Sequence, residues 1–513
     1  MLFYPPHHVM PLLILSRVLR ANHATVASEN PLASLAGYET MRSGGNAFDA
    51  AVATSFALAV TMHHIGGLGG DFFGMFYEAK TGKAHCLNSS GWAPSGLTVE
   101  AIRSRGEDKV PTYGPLSCVV PGQVAGVAAM HKKFGVSEWK TLLRPAKDYA
   151  LGGFPASEGL CRAVAGVFES LSPDAMEVFA PDGRPPLPGS TIKQMKLGML
   201  VDELAVEGAE AFYEGTPAEE MRERFEALGV PAQPGDFRDF AAEWVEPLIL
   251  EYRGTVVHEV PPNSMGATCL LMLKILEGQD FSKAGPLSRE RIGTTMEAAE
   301  TAYDRRDRML CDPRFHRIDM DEFMKPSRPQ RPYSGRVAEG DTTAFSVADK
   351  EGNIVSAIQS LFRHFGSHIF VPGCGIMIND RGAGFRLEGP NRVEPRKRPL
   401  HTLSSLILKR GDSVTAIGTS GGDYRPIQHS LLVTNIVDYK MSLEQAVDHP
   451  RFLWSEGRSL MVESGYQDYV TSRFDLQKLS MPDRTGVCQA IDVRGSTQTA
   501  VCDVRGEGVP AGF

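Results

Sequence analysis

Asp341 and Thr342 open a stretch, Gly340 to Ser367, whose residue types can break an amide bond. A threonine hydroxyl is a poor nucleophile without an adjacent base, and one base is the residue's own α-amine, freed by cutting the preceding peptide bond. That amine has a pKa near ~8, so a useful fraction is neutral at physiological pH. The expectation is a precursor that cuts itself between Asp341 and Thr342. Acyl transfer also needs donors aimed at the oxygen that becomes negative. Thr419-Ser420-Gly421-Gly422-Asp423-Tyr424-Arg425 supplies adjacent glycines whose N–H groups can face one point, because no Cβ intervenes. On these residues alone, Asp-Thr-Thr is also ordinary turn chemistry at a strand mouth, and Gly421-Gly422 an ordinary tight turn.

The elements that must position them follow from periodicity. Alternating apolar runs over 344–348 and 354–358, joined by Asp349-Lys350-Glu351-Gly352-Asn353, predict a strand hairpin that Thr342 opens. Residues 399–408 and 413–418 read as two further strands, the second entering the glycine turn. Asn30-Pro31 starts a helix, Gly44-Gly45 stops it, and Asn46 caps a second helix rich in Ala, Val and Leu. That second helix is apolar on most of its circumference and must be buried. Helical pattern recurs over 205–228, and 256–273 reads as an extended segment, a Pro-Pro turn and a buried helix. Residues 312–340, rich in Pro, Arg and acidic groups, read as a loop.

Composition bounds the rest. The 513 residues are 42% apolar and 22% charged with 52 glycines, as in an ordinary globular enzyme with many tight turns. A formal charge of -8 leaves no basic surplus to neutralise phosphates, which argues against nucleic acid as a partner. The eight cysteines form no CxxC pair, and His63-His64 lacks further ligands at metal spacing, so no metal site is expected. The glycine run after His64 has neither GxGxxG nor GK[ST] and reads as close backbone packing. No apolar stretch reaches the ~18 residues of a membrane span. The N-terminus lacks a basic region and a cleavage site, so a cytoplasmic location is expected.

DTTAFSVADKEGNIVSA, then FGS, GIMIND, KRPL and GTSGGDYR, resembles the small-subunit half of the gamma-glutamyltransferase family, and residues 30–61 resemble the start of its large subunit. The resemblance implies an α+β fold, the four-layer αββα sandwich of N-terminal nucleophile hydrolases. It divides the chain into 1–341 and 342–513, a large and a small subunit from one precursor. Thr342 is then the nucleophile, Ser360 stands where relatives carry a threonine bonded to it, and Gly421 and Gly422 form the oxyanion hole. No metal or organic cofactor is required.

The departures cluster where the family grips a glutamyl headgroup. Ser90 stands at the position of the arginine that binds the α-carboxylate, and His401-Thr402 replaces a serine pair. Phe362 replaces an asparagine, Gly384 an acidic residue, Arg381 a glutamine and Ala344 a histidine. Losing both charge partners costs several kcal/mol in a buried site. The reading is therefore an amidohydrolase acting on a small amide, with acyl transfer to an amine as a second outcome and Arg381, Arg425 and His401 as candidate carboxylate partners. Structural salt bridges would explain the two arginines equally well. A glutathione-acting transferase and an uncleaved, silent binding protein are the alternatives.

Overall fold

The computed structural model describes residues 17–513 apart from 231, 328–332, 334–339, 455–458, 467–473 and 480–484. Two seven-stranded sheets form its centre. One runs, in spatial order, Val18–Ala21, Thr497–Cys502, Cys488–Arg494, Ser413–Thr419, Ser405–Arg410, Thr255–Glu259 and Leu248–Tyr252. The other runs Ala511–Gly512, Thr25–Ser28, Asp341–Ala348, Ile354–Phe362, Asp71–Glu78, Lys83–Ser89 and Glu243–Val245. Every pairing in both sheets is antiparallel.

Strand alternation sets the layers. Ala344 and Ala348 point into an apolar layer shared with Ile407, Ala416 and Ile491 of the opposite sheet, whereas Phe345 and Val347 point the other way. With both faces covered, the strands are near-continuous apolar runs. Helices Pro31–Arg42, Ala47–Thr61 and Gln123–Phe134 cover one outer face. Gly266–Leu276 and Arg425–Val437 cover the other, completing the αββα sandwich. The Ala47–Thr61 helix is buried along its whole length, as expected for a helix without a polar face. Asn46 caps it, with Asp49 completing a reciprocal capping box.

The predicted hairpin forms as Asp341–Ala348 and Ile354–Phe362. The expected strand over 399–408 begins only at Ser405. Residues 399–404 spend their backbone groups elsewhere: Leu400 N–H donates to Asn391 Oδ1 at 2.9 Å and His401 N–H to Asn263 O at 2.8 Å. The 312–340 loop contains a short helix, Met320–Phe323, and part of the stretch lies outside the described residues. All eight cysteines are buried and free. Among the described residues no helix is long and apolar enough to cross a membrane.

Candidate active site

Thr342 lies near the start of its strand, where the pairing is irregular: Asp341 faces Phe362, but Thr343 already faces Gln359. The partner strand thus carries one extra residue, a bulge that re-aims its side chains locally. Ser360 sits in that bulge. Thr342 Oγ1 donates to Ser360 Oγ at 3.2 Å, and Ser360 Oγ donates to the carbonyl oxygen of Asp341 at 2.9 Å. One hydroxyl therefore bridges the expected nucleophile and the carbonyl of the expected scissile bond.

Ser360 is itself oriented. Phe362 N–H donates to its Oγ at 2.7 Å and Arg381 Nη2 at 3.2 Å. Phe362 adopts φ +88, a costly conformation for a residue with a Cβ. Its ring centroid lies 4.2 Å from Arg363 Cζ and 4.1 Å from Arg381 Cζ, and both guanidiniums supply cation–π attraction.

Arg381 is fully engaged. Nη1 donates to Thr402 Oγ1 at 2.9 Å, Nη2 to Ser360, and Nε stands 3.3 Å from Asp71 Oδ2, close enough for charge pairing without hydrogen-bond alignment. Burial pulls its pKa down to about 10, which leaves it charged at neutral pH. His401 is enclosed, and burial with the neighbouring Arg381 guanidinium lowers its pKa to about 3. Its Nδ1 accepts from Leu403 N–H at 3.1 Å, so the proton of the neutral ring sits on Nε2 and is donated to Asp71 Oδ2 at 2.9 Å. Asp71 Oδ1 takes Gly91 N–H at 2.6 Å. The line Gly91, Asp71, Arg381, Ser360 fixes the hydroxyl that touches Thr342.

The glycine turn approaches from the other sheet. Gly421 has φ +123 and a Cβ there would stand 2.6 Å from Gln428 Nε2, so glycine is needed on both counts. Ser420 pins the turn through paired 2.8 Å bonds with Val487. A Cβ on Gly340 would lie 3.2 Å from Gly422 Cα, so the chain entering Asp341 passes directly against this turn.

Of the substrate partners expected from sequence, Arg381 and Thr402 line a cavity of about 250 Å³ with Phe362 and Gly384. The others do not reach it. His401 and Arg425 are enclosed, Arg425 with Nε on Thr419 O at 2.9 Å. Ser90 is buried against Asn88 and Asn263, and its carbonyl takes Arg398 Nη1. Ser90, His401 and Arg425 line neither this cavity nor the one that Thr342 faces, and the polar contacts described for them are to protein groups. Glu259, Cys269 and His429 also converge within 4.8 Å in the core. Glu259 takes His429 Nδ1 at 2.6 Å and the Ser404 hydroxyl at 2.5 Å, while burial pushes the Cys269 thiol well up, so the trio is a buried hydrogen-bonded network.

Thr342 faces a different cavity, of about 270 Å³, shared with Gly421, Asp341, His364 and Glu29. Sequence reasoning missed His364 and Glu29, since nothing in their spacing links the segment at 29 to that at 364. Glu29 is 8% exposed, its Oε2 has no hydrogen-bond partner among the described residues, and burial raises its pKa to about 8. The unfolded carboxyl ionises near 4.5, so this group's stabilising contribution is complete below pH 4.5 and is lost as pH rises through about 8. Glu29→Gln removes the loss. In an uncut Thr342→Ala background, the Gln variant should gain on its parent from pH 4.5 to 8.5, by on the order of a few kcal/mol. Thermal melts that keep a constant gap over that range would refute it.

The family model described as gamma-glutamyltranspeptidase matches residues 33–513, nearly the whole chain. The chain belongs to the gamma-glutamyltranspeptidase family. Among its relatives is the glutathione hydrolase-like YwrD proenzyme of Bacillus subtilis, 35% identical over 464 residues that cover 86% of this chain and 88% of that protein. The oxamate amidohydrolase proenzyme of Klebsiella pneumoniae is 30% identical, covering 84% of this chain and 85% of its own. The crystal structure of cephalosporin acylase from Bacillus halodurans superposes with a TM-score of 0.89 at 28% identity, covering 100% of this chain and 99% of that one. Family and fold together make the chain an amidohydrolase of the N-terminal nucleophile class, related to proteins named as proenzymes.

Proposed function

We propose that Thr342 is the nucleophile, that the chain cuts itself between Asp341 and Thr342, and that the product enzyme hydrolyses a small amide. The observation that carries this reading is the bridge from the Thr342 hydroxyl through Ser360 to the Asp341 carbonyl. In the precursor, Thr342 Oγ attacks the Asp341 carbonyl, the peptide shifts to an ester, and water releases the chain 342–513. The new α-amine of Thr342 then takes the hydroxyl proton as Oγ attacks a substrate amide, and returns it to the departing amine. Gly421 and Gly422 hold the oxyanion. Water completes the cycle by cleaving the ester, or an amine takes the acyl group instead.

The residues present disfavour an α-amino acid headgroup of the glutamyl kind, and a glutathione-acting enzyme is the second reading. Ser90 lines neither cavity, Gly384 offers no carboxylate to an ammonium, and the Phe362 ring packs against the Arg363 and Arg381 guanidiniums. Intact mass and N-terminal sequencing of the purified protein test the reading. Two polypeptides are expected, the smaller beginning Thr342-Thr343-Ala344-Phe345-Ser346. A single 513-residue chain that forms no acyl adduct would overturn it.

A further inference from the structure

The precursor contains one amide already seated on Thr342, and its acyl half is Asp341. The side chain of that residue is not idle. Asp341 Oδ2 lies 2.8 Å from His364 Nε2, and both residues line the cavity that Thr342 faces. His364 is held for this contact. It follows the strained Phe362 on the same strand end, its ring lies 5.7 Å from that of His64, and Phe365 N–H next to it is bonded to His64 O. The arginines that sequence offered for a carboxylate are excluded, since Arg381 is consumed by Asp71, Thr402 and Ser360, and Arg425 is enclosed. Of the cationic side chains that line this cavity, Arg162 pairs with Glu158 and Arg505 with Asp503 and Glu463, whereas His364 pairs with Asp341, the residue whose carbonyl is presented to Thr342.

Building on Thr342 as nucleophile, we infer that His364 is the specificity-determining residue for the acyl group, and that the preferred substrates are mono-amides of four-carbon dicarboxylic acids. The chain length follows from covalent geometry. Counting from the scissile carbonyl carbon of Asp341 through Cα and Cβ, the carboxylate carbon Cγ is the fourth. A succinamate reproduces that spacing; an oxamate is two carbons too short, and a glutaramate one too long. Cleavage frees the Asp341 end of the large subunit, and the substrate carboxylate takes its place on His364 Nε2. In the reaction, the Thr342 Oγ to carbonyl bond forms and the C–N bond breaks, with the hydroxyl proton leaving on the amine. Water then splits the ester, releasing the dicarboxylate and restoring the hydroxyl.

The test is a series of p-nitroanilide mono-amides of the two- to six-carbon dicarboxylic acids, with butyric anilide as the uncharged match, assayed on the matured enzyme. The expected result is a kcat/KM maximum at four carbons, at least about 10-fold above the five-carbon homologue. In His364→Leu the four-carbon to butyric ratio should fall at least about 10-fold, mainly through KM, while His364→Gln, which keeps a donor, should restore part of it. These ratios are internal to each preparation, so slow maturation of a variant does not disturb them. A maximum at another length, or an unchanged ratio in His364→Leu, would overturn the inference. If no amide is cleaved and the small subunit acquires no Thr342-dependent acyl mass, the nucleophile assignment itself has failed.

Discussion

Thr342→Ala is expected to accumulate as one uncut chain with amidase activity reduced by roughly 10⁴-fold or more, the scale seen when an acyl-transfer nucleophile is removed. Two functions are lost together, because the same hydroxyl attacks Asp341 in the precursor and the substrate afterwards. Folding should survive. Thr342 is near the start of its strand, its side chain makes a single 3.2 Å bond among the described residues, to Ser360, and the apolar layer begins only at Ala344. Thr342→Ser keeps the oxygen and should still cut, more slowly, because the freer serine rotamer is less often aligned with the Asp341 carbonyl. Mass spectrometry of both variants decides the matter. Cleavage in Thr342→Ala at the same bond would place the nucleophile elsewhere.

A second large effect is expected at Ser360. Its hydroxyl touches both Thr342 Oγ1 and Asp341 O, so Ser360→Ala loses an aligned donor at the scissile carbonyl and an acceptor at the nucleophile. Loss of one such donor typically costs about 10²–10³ in rate. Self-cleavage followed by gel densitometry should slow by that order. The change also strands Phe362 N–H and Arg381 Nη2, at about 1–3 kcal/mol for each unpaired buried group, so the melting temperature should fall as well. Ser360→Thr restores the hydroxyl and separates the two consequences. Recovery of cleavage by Thr identifies the hydroxyl as the cause; equal slowing in Ala and Thr would make Ser360 a packing residue.

The two buried arginines illustrate how an identical sequence signal divides on folding. Arg381 and Arg425 each follow a glycine-containing or polar turn in the small-subunit half, and both read from sequence as carboxylate partners or salt bridges. Arg381 lands beside Ser360 because the bulge at Ser360 turns its hydroxyl toward the Arg381 guanidinium. Arg425 begins the Arg425–Val437 helix, whose residues are buried throughout, and its guanidinium is drawn into the core with pKa lowered to about 9 by burial and by Arg381. Composition could not distinguish these fates, because which groups surround a buried guanidinium is a property of packing.

What the sequence determined by itself was local or linear: the hairpin from its alternation and the Asn46-capped buried helix from its unbroken apolar content. Such features depend on neighbours a few positions apart, where period and capping chemistry are decisive. Only the tertiary structure decided which groups meet at Thr342. Glu29 and His364 are more than three hundred positions apart and face one cavity because the strand containing Thr342 lies between the Thr25–Ser28 and Ile354–Phe362 strands. Neither residue carries a spacing signal, since sheet neighbours are set by strand order and register. The same pairing that buries Glu29 and raises its pKa also holds His364 against Asp341, and that choice belongs to the fold.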